Sequence, residues 1–166
     1  MSETNFMIRK VAVLGAGVMG AQIAAHLLNA QVPTLLFDLP DPAGGSGIAE
    51  KAIAALRKQQ PAPLAAADIA EFIQPANYAK DLGRLAECDL VIEAIAERLE
   101  WKRDLYHKVA PVLGARTIFA TSPSSTNSRS AASRIRRAVS EYFGSAGIPA
   151  SEGEEVFTRQ RLKRLF

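Results

Sequence analysis

The sequence predicts an α/β fold: a doubly wound, mostly parallel sheet with helices on both faces over residues 1–120, followed by an irregular Ser/Arg-rich tail over residues 121–166. Three observations lead there. Short apolar runs alternate with amphipathic stretches, and a parallel strand covered on both faces reads as an unbroken apolar run. A glycine-rich turn joins the first run to the first amphipathic stretch. Composition then changes abruptly: the first 120 residues hold 12 Lys+Arg against 13 Asp+Glu and two serines, while the last 46 hold 8 against 4 and nine serines.

Taken in order, Lys10 to Leu14 is a short, partly β-branched apolar run ending at Gly15, which reads as a buried strand entering a tight turn. From Met19 to Asn29, Ile23, Ala24, Leu27 and Leu28 form one stripe, so a helix packs on the sheet. Ala30 to Pro33 closes it, and Thr34 to Asp38 is a second strand ending on a carboxylate. Pro40 to Gly47 is all breaker chemistry and reads as a loop; Ile48 to Lys58 is helical in spacing. Pro61-Ala62-Pro63 separates this from a short helix around Ala65 to Phe72, and Ile73-Gln74-Pro75 is a short strand. Leu90 to Ile95 reads as another buried strand, Leu99 to Val112 as a strong helix ended by Leu113-Gly114, and Thr117 to Ala120 as the next strand. After Thr121 the alternation stops, and only Val156 to Phe166 hints at a basic amphipathic helix.

Length and composition exclude several classes. A chain of 166 residues with 48% apolar and 22% charged residues suits one core, since single domains span roughly 100 to 200 residues, and it is not a disordered protein. Cys88 is the only cysteine, which excludes an internal disulfide and a cysteine-based metal cluster; no metal site is expected. No apolar run approaches the ~20 residues that span a bilayer, so no membrane association and a reducing, cytoplasmic setting are expected.

Gly15-Ala16-Gly17-Val18-Met19-Gly20 satisfies G-x-G-x-x-G, placed after a strand and at the opening of a helix. Gly15 suits the tight turn, Gly17 lets the backbone approach a pyrophosphate, and Gly20 lets the helix pack closely on the strands. Unpaired N–H groups at the helix start then face the anion. Asp38 follows Gly20 by 18 residues at the end of the second strand, where it can accept both ribose hydroxyls. The pattern is that of a Rossmann-like dinucleotide fold. Asp38, followed by Leu39 and Pro40 with no arginine, favours NAD over NADP, whose 2′-phosphate would meet the carboxylate. Glu93 and Glu97 sit at the C-terminal end of the next strand, where open α/β sheets bind ligands; Glu93 is expected half-buried, and Glu97 also suits a helix start. His26 and His107 lie inside expected helices and read as surface or packing residues, and Cys88 as a small core residue.

On these residues the chain resembles the NAD-binding domain of the L-3-hydroxyacyl-CoA dehydrogenases, including the form at the N-terminus of bacterial multifunctional fatty-acid oxidation proteins. The matching pieces are Val11 to Gly20, Leu36-Phe37-Asp38, Ile73 to Tyr78, Asp89 to Glu97 with Lys102, and Thr117 to Ala120. The resemblance implies NAD as cofactor. It also implies that Gly15, Gly17, Val18, Met19 and Gly20 line the pyrophosphate, that Asp38 holds the adenosine ribose, and that Ala94, Glu97 and Lys102 reach toward the nicotinamide half.

Departures from the family set the rest of the expectation. Its members continue the last strand into Asn-Thr-Ser; here Ser122, Pro123 and Ser124 stand there, so Ser124 is the one family-matched substrate contact, and no catalytic residue is assigned. The family's later histidine, its glutamate partner and its helical domain do not follow. The expected function is therefore the NAD-binding part of a 3-hydroxyacyl-CoA dehydrogenase of fatty-acid β-oxidation, truncated and inactive alone, since alcohol oxidation needs a base for the hydroxyl proton. An acyl-CoA substrate is implied for the intact family, and a homo-oligomer is the other expected partnership. The tail's abrupt start inside a motif is what an altered reading frame in a GC-rich gene would produce, and its scattered apolar groups do not offset chain entropy. The alternative is a non-catalytic nucleotide-binding or regulatory module whose basic tail contacts a partner. The tail's aromatics show no RNA-binding pattern, so nucleic acid is not expected.

Overall fold

The computed structural model describes residues 8–96, 98–115 and 117–121. The expectations for the tail fall outside these residues. Contacts divide the chain into two units, Met1–Phe119 and Ala120–Phe166, and of the second only Ala120 and Thr121 are described.

Among the described residues five strands form one sheet: β1 (Val11–Leu14), β2 (Thr34–Asp38), β3 (Ile73–Asn77), β4 (Leu90–Glu93) and β5 (Ile118–Thr121), in the order β3-β2-β1-β4-β5. β1 pairs in parallel with β2 and β4, and β2 with β3; Leu14 stands opposite both Phe37 and Glu93. All four side chains of β1 and all four of β4 are buried, as expected of strands inside a parallel sheet.

Helix α1 (Val18–Asn29) joins β1 to β2, α2 (Gly47–Leu56) lies between β2 and β3, and α3 (Leu99–Val109) precedes β5. Right-handed crossovers put α1 and α2 on one face, and the two helices touch each other there. The chain then returns across the sheet to β4 and continues the opposite way, which sends α3 to the other face. The reversal falls between β1 and β4, the topological switch point where such sheets bind ligands.

Local sequence explains most boundaries. α1 buries Gly20, Ala21, Ala24, Ala25, Leu27 and Leu28, a face of mostly small residues that draws the helix close to the strands. It ends where the Ala30 N–H turns back to the carbonyls of His26 and Leu27, and Gln31 takes a left-handed φ of +62°. α3 stops at Val109 instead of running to Val112, because Pro111 has no N–H to continue the ladder; Ala110–Val112 is a 3-10 turn. β4 ends at Glu93, two residues short of the expected Ile95, and β5 begins one residue later than expected. Two 3-10 segments, Ala67–Phe72 and Leu82–Glu87, flank β3 and lead into β4; the second was not expected from periodicity.

β3 lies at the sheet edge and contains Pro75. The Tyr78 N–H, just past the strand, points inward to the carbonyl of Asp38 at 3.2 Å. Alternation therefore turns the backbone nitrogens of Ile73, Pro75 and Asn77 outward. Ile73 donates to the carbonyl of Ala70, and Asn77 to the Asp81 carboxylate at 2.9 Å.

A Cβ added at Gly20 would overlap the backbone carbonyl of Gly15, which has no flexible end to yield. Gly20→Ala is expected to destabilise the domain by about 3 kcal/mol or more, toward the upper end of overpacking costs. Urea denaturation monitored by circular dichroism checks this.

Candidate functional site

The glycine-rich turn leaves β1 at the switch point. Gly15 has a φ of +108°, and a Cβ there would stand 2.9 Å from the carbonyl oxygen of Ala94 and 3.1 Å from the Ile95 side chain. Backbone shape and close approach both require glycine at this position. Gly17 differs: its φ of −68° suits any residue, and a Cβ would meet nothing within 4 Å. Neither strain nor internal packing accounts for glycine at 17; a Cβ would fill only the open space before α1. The first-turn N–H groups of that helix have no intrahelical partner and face this space. No acidic residue lies in the turn and no side chain caps it. Val18, 82% exposed, and Met19, 52% exposed, flank the opening.

Asp38 ends β2 beside this turn. Its carboxylate accepts the Ala16 N–H at 2.6 Å and the Leu39 N–H at 2.7 Å, so it ties the strand end to the glycine turn. Each carboxylate oxygen has two lone pairs, which leaves acceptor capacity for the paired hydroxyls of a ribose. The next residues, Leu39 and Pro40, bring no charge, and Leu39 is exposed. Tyr78 stacks on Phe37, with ring centroids 5.9 Å apart. Its buried hydroxyl has no hydrogen-bond partner among the described residues. Burial, reinforced by the charges of Asp38 and Glu93, pushes its pKa up.

On the other side of β1, Glu93 ends β4. It is fully buried, not half-buried as expected from the sequence. Its Oε1 accepts the Ile95 N–H at 2.8 Å, and its Oε2 accepts the Tyr106 hydroxyl at 3.0 Å. The Lys102 ammonium lies 3.0 Å from the same Oε2, on a side chain 2% exposed. Burial of the carboxylate is thus met by a cation, a hydroxyl and a backbone donor, the condition under which a buried charge is tolerated. Tyr106 also packs edge-on against Phe119 at 5.4 Å.

The structure thus gathers Gly15, Gly17, Val18, Met19, Gly20, Asp38 and Ala94 around the ends of β1, β2 and β4. Lys102 is drawn beneath this surface into the Glu93 cluster. Glu97 and Ser124 lie outside the described residues. His26 and His107 are exposed on α1 and α3. The Cys88 thiol is buried, and burial pushes its pKa up to about 11, which fits a core role. Sequence reasoning missed Tyr106 and Tyr78. The only signal for Tyr106 was its position one helical turn beyond Lys102, on the same face of α3.

These residues fit a dinucleotide: an open cradle at Gly17 and unpaired helix N–H groups suit a pyrophosphate, and Asp38 suits a ribose. The model of the 3-hydroxyacyl-CoA dehydrogenase NAD-binding domain matches residues 10–143, which extends past the compositional change near residue 121. A probable 3-hydroxyacyl-CoA dehydrogenase of Deinococcus radiodurans is 42% identical over 119 residues, covering 70% of this chain and 34% of that protein. A putative fatty acid oxidation complex trifunctional enzyme of Rickettsia felis is 41% identical over 119 residues, covering 70% of this chain but 16% of its own length. The structure of 3-hydroxybutyryl-CoA dehydrogenase from Escherichia coli superimposes with a TM-score of 0.57 at 29% identity, over 72% of this chain and 25% of that one. This chain therefore spans about a third or less of these proteins. Among the described residues no helix is long and apolar enough to cross a membrane.

Two outcomes are expected. Gly17→Ala should change stability by no more than about 1 kcal/mol, the scale of an N-cap substitution. It should nevertheless weaken NAD about tenfold or more, because the methyl occupies the cradle; thermal melting and calorimetric titration separate the two effects. Lys102→Met should cost about 3–5 kcal/mol, because it strands a buried carboxylate, and urea denaturation measures the loss.

Proposed function

Because this chain belongs to the 3-hydroxyacyl-CoA dehydrogenase NAD-binding domain family, we propose that it is the cofactor half of an oxidoreductase of fatty-acid β-oxidation, serving hydride transfer between an L-3-hydroxyacyl-CoA and NAD. The observation that carries the reading is Gly17, a glycine of ordinary φ whose missing Cβ leaves space only outside the protein's own packing. We assign residues 1–120 to the nucleotide domain and residues 121–166 to a tail by composition, with Thr121 still part of β5 and the family match continuing to residue 143.

In this reading Gly15, Gly17, Val18, Met19 and Gly20 form the pyrophosphate cradle. Backbone N–H groups meet the anion without a side-chain cation, helped by the helix dipole. Asp38 accepts hydrogen bonds from the adenosine ribose hydroxyls while still holding the Ala16 N–H. Ala94 borders the path toward the β4 side, with Glu97 assigned to the nicotinamide half and Ser124 to substrate; Lys102, buried against Glu93, serves that half from beneath and not by direct contact. When bound, the nicotinamide ring supplies the hydride acceptor. The acyl-CoA substrate, a homo-oligomeric state and a cytoplasmic location belong to the same proposal. Relatives named as fatty acid oxidation enzymes, including a trifunctional one, support the metabolic setting.

NAD is expected to bind in clear preference to NADP, since a 2′-phosphate would face the Asp38 carboxylate. Asp38→Ala should weaken NAD by about 1–3 kcal/mol, the worth of a charge-assisted hydrogen bond. Calorimetric titration of both nucleotides against both proteins measures this. Equal affinities for the two would overturn the assignment of Asp38, and no binding of either would overturn the nucleotide reading.

A further inference from the structure

We infer that Glu93 is a positioning residue for the nicotinamide half of the site: its buried carboxylate fixes the backbone at Ala94–Ala96, the wall over which that half of a dinucleotide must lie. The inference rests on the nucleotide reading above. Asp38 lies on the β2 side of β1 and Gly17 at its centre, so a dinucleotide pivoting at Gly17 carries its second half to the β4 side. The first residues there are Ala94, Ile95 and Ala96. Ala94 is held to β1 by its N–H to the Leu14 carbonyl at 2.8 Å. Its own carbonyl stands 2.9 Å from where a Gly15 Cβ would be, so the wall and the glycine turn are in close register.

What fixes the wall beyond Ala94 is Glu93. The carboxylate folds forward to accept the Ile95 N–H at 2.8 Å and, through its other oxygen, meets Lys102 at 3.0 Å and the Tyr106 hydroxyl at 3.0 Å. One side chain therefore joins the start of the β4–α3 connection to two successive turns of α3. Glu93 and Lys102 are among the largest fully buried side chains of the molecule, so solvent cannot substitute for a lost contact. A shift of α3, or of the Ile95 amide, would move the wall relative to Gly15, while Asp38, at the end of β2, and Gly17, at the start of α1, keep their places. The adenosine half should not sense it.

The experiment compares NAD with ADP, which shares the adenosine and pyrophosphate but lacks the nicotinamide half, on the full chain by calorimetry. Wild type should bind both. Glu93→Gln should weaken NAD about tenfold, the scale of one charge-assisted hydrogen bond, and ADP by less than about twofold. Tyr106→Phe removes a single bond from the same carboxylate and keeps the ion pair. It should retain the fold even where Glu93→Gln does not, and weaken NAD about threefold with ADP unchanged. Circular dichroism and melting verify that each variant is folded. A proportional loss of NAD and ADP, or no loss of either in a folded variant, would overturn the inference and leave the nucleotide reading standing. Wild-type protein that binds neither nucleotide would overturn both.

Discussion

Gly20 brings the first turn of α1 against the carbonyl oxygen of Gly15, at a separation that excludes even a methyl group. This approach sets the position of the helix relative to β1, and with it the direction in which the unpaired N–H groups of the first turn point. The small residues farther along α1, Ala21, Ala24 and Ala25, hold the same short distance over the rest of the helix. A bulkier face would lift the helix and tilt its start away from the end of the sheet. The open space before Gly17 exists because the packing behind it is so tight.

The strands on either side of β1 both end on a carboxylate, and the two are used in opposite ways. Asp38 bonds two backbone N–H groups and remains partly accessible, so it organises the turn and can still accept from outside. Glu93 is sealed beneath the surface by Lys102, Tyr106 and the Ile95 amide. A buried ion pair of this kind contributes little net stability compared with an apolar pair of the same volume, but breaking it is costly. Its consequence is therefore geometric, because it specifies one arrangement of the β4–α3 connection.

How much of this was legible depended on the range of the interactions. β1, α1 and β2 declare themselves locally, through an apolar run, a glycine motif and a carboxylate at the expected spacing, and the sequence reading of them matches the structure to within a residue. The full burial of Glu93 could not be read in that way, because its partners Lys102 and Tyr106 stand on another element and meet it only once α3 crosses the opposite face. Leu82–Glu87 escaped notice because a 3-10 turn has no 3.6-residue stripe, and Leu85 is its one buried residue. The bond from Ala16 to Asp38 was likewise invisible, since it depends on two strands being neighbours.

Pro75 gives the sheet a boundary. Of the three outward-facing backbone nitrogens on β3, that of Ile73 is turned back to Ala70, that of Asn77 is taken by Asp81, and that of Pro75 carries no hydrogen. An arriving strand would find no donor along this edge, although a parallel or antiparallel ladder needs one at every second residue. The residue that weakens β3 as a sequence signal thus guards against edge-to-edge aggregation. Strand addition at the β3 edge is thereby closed off.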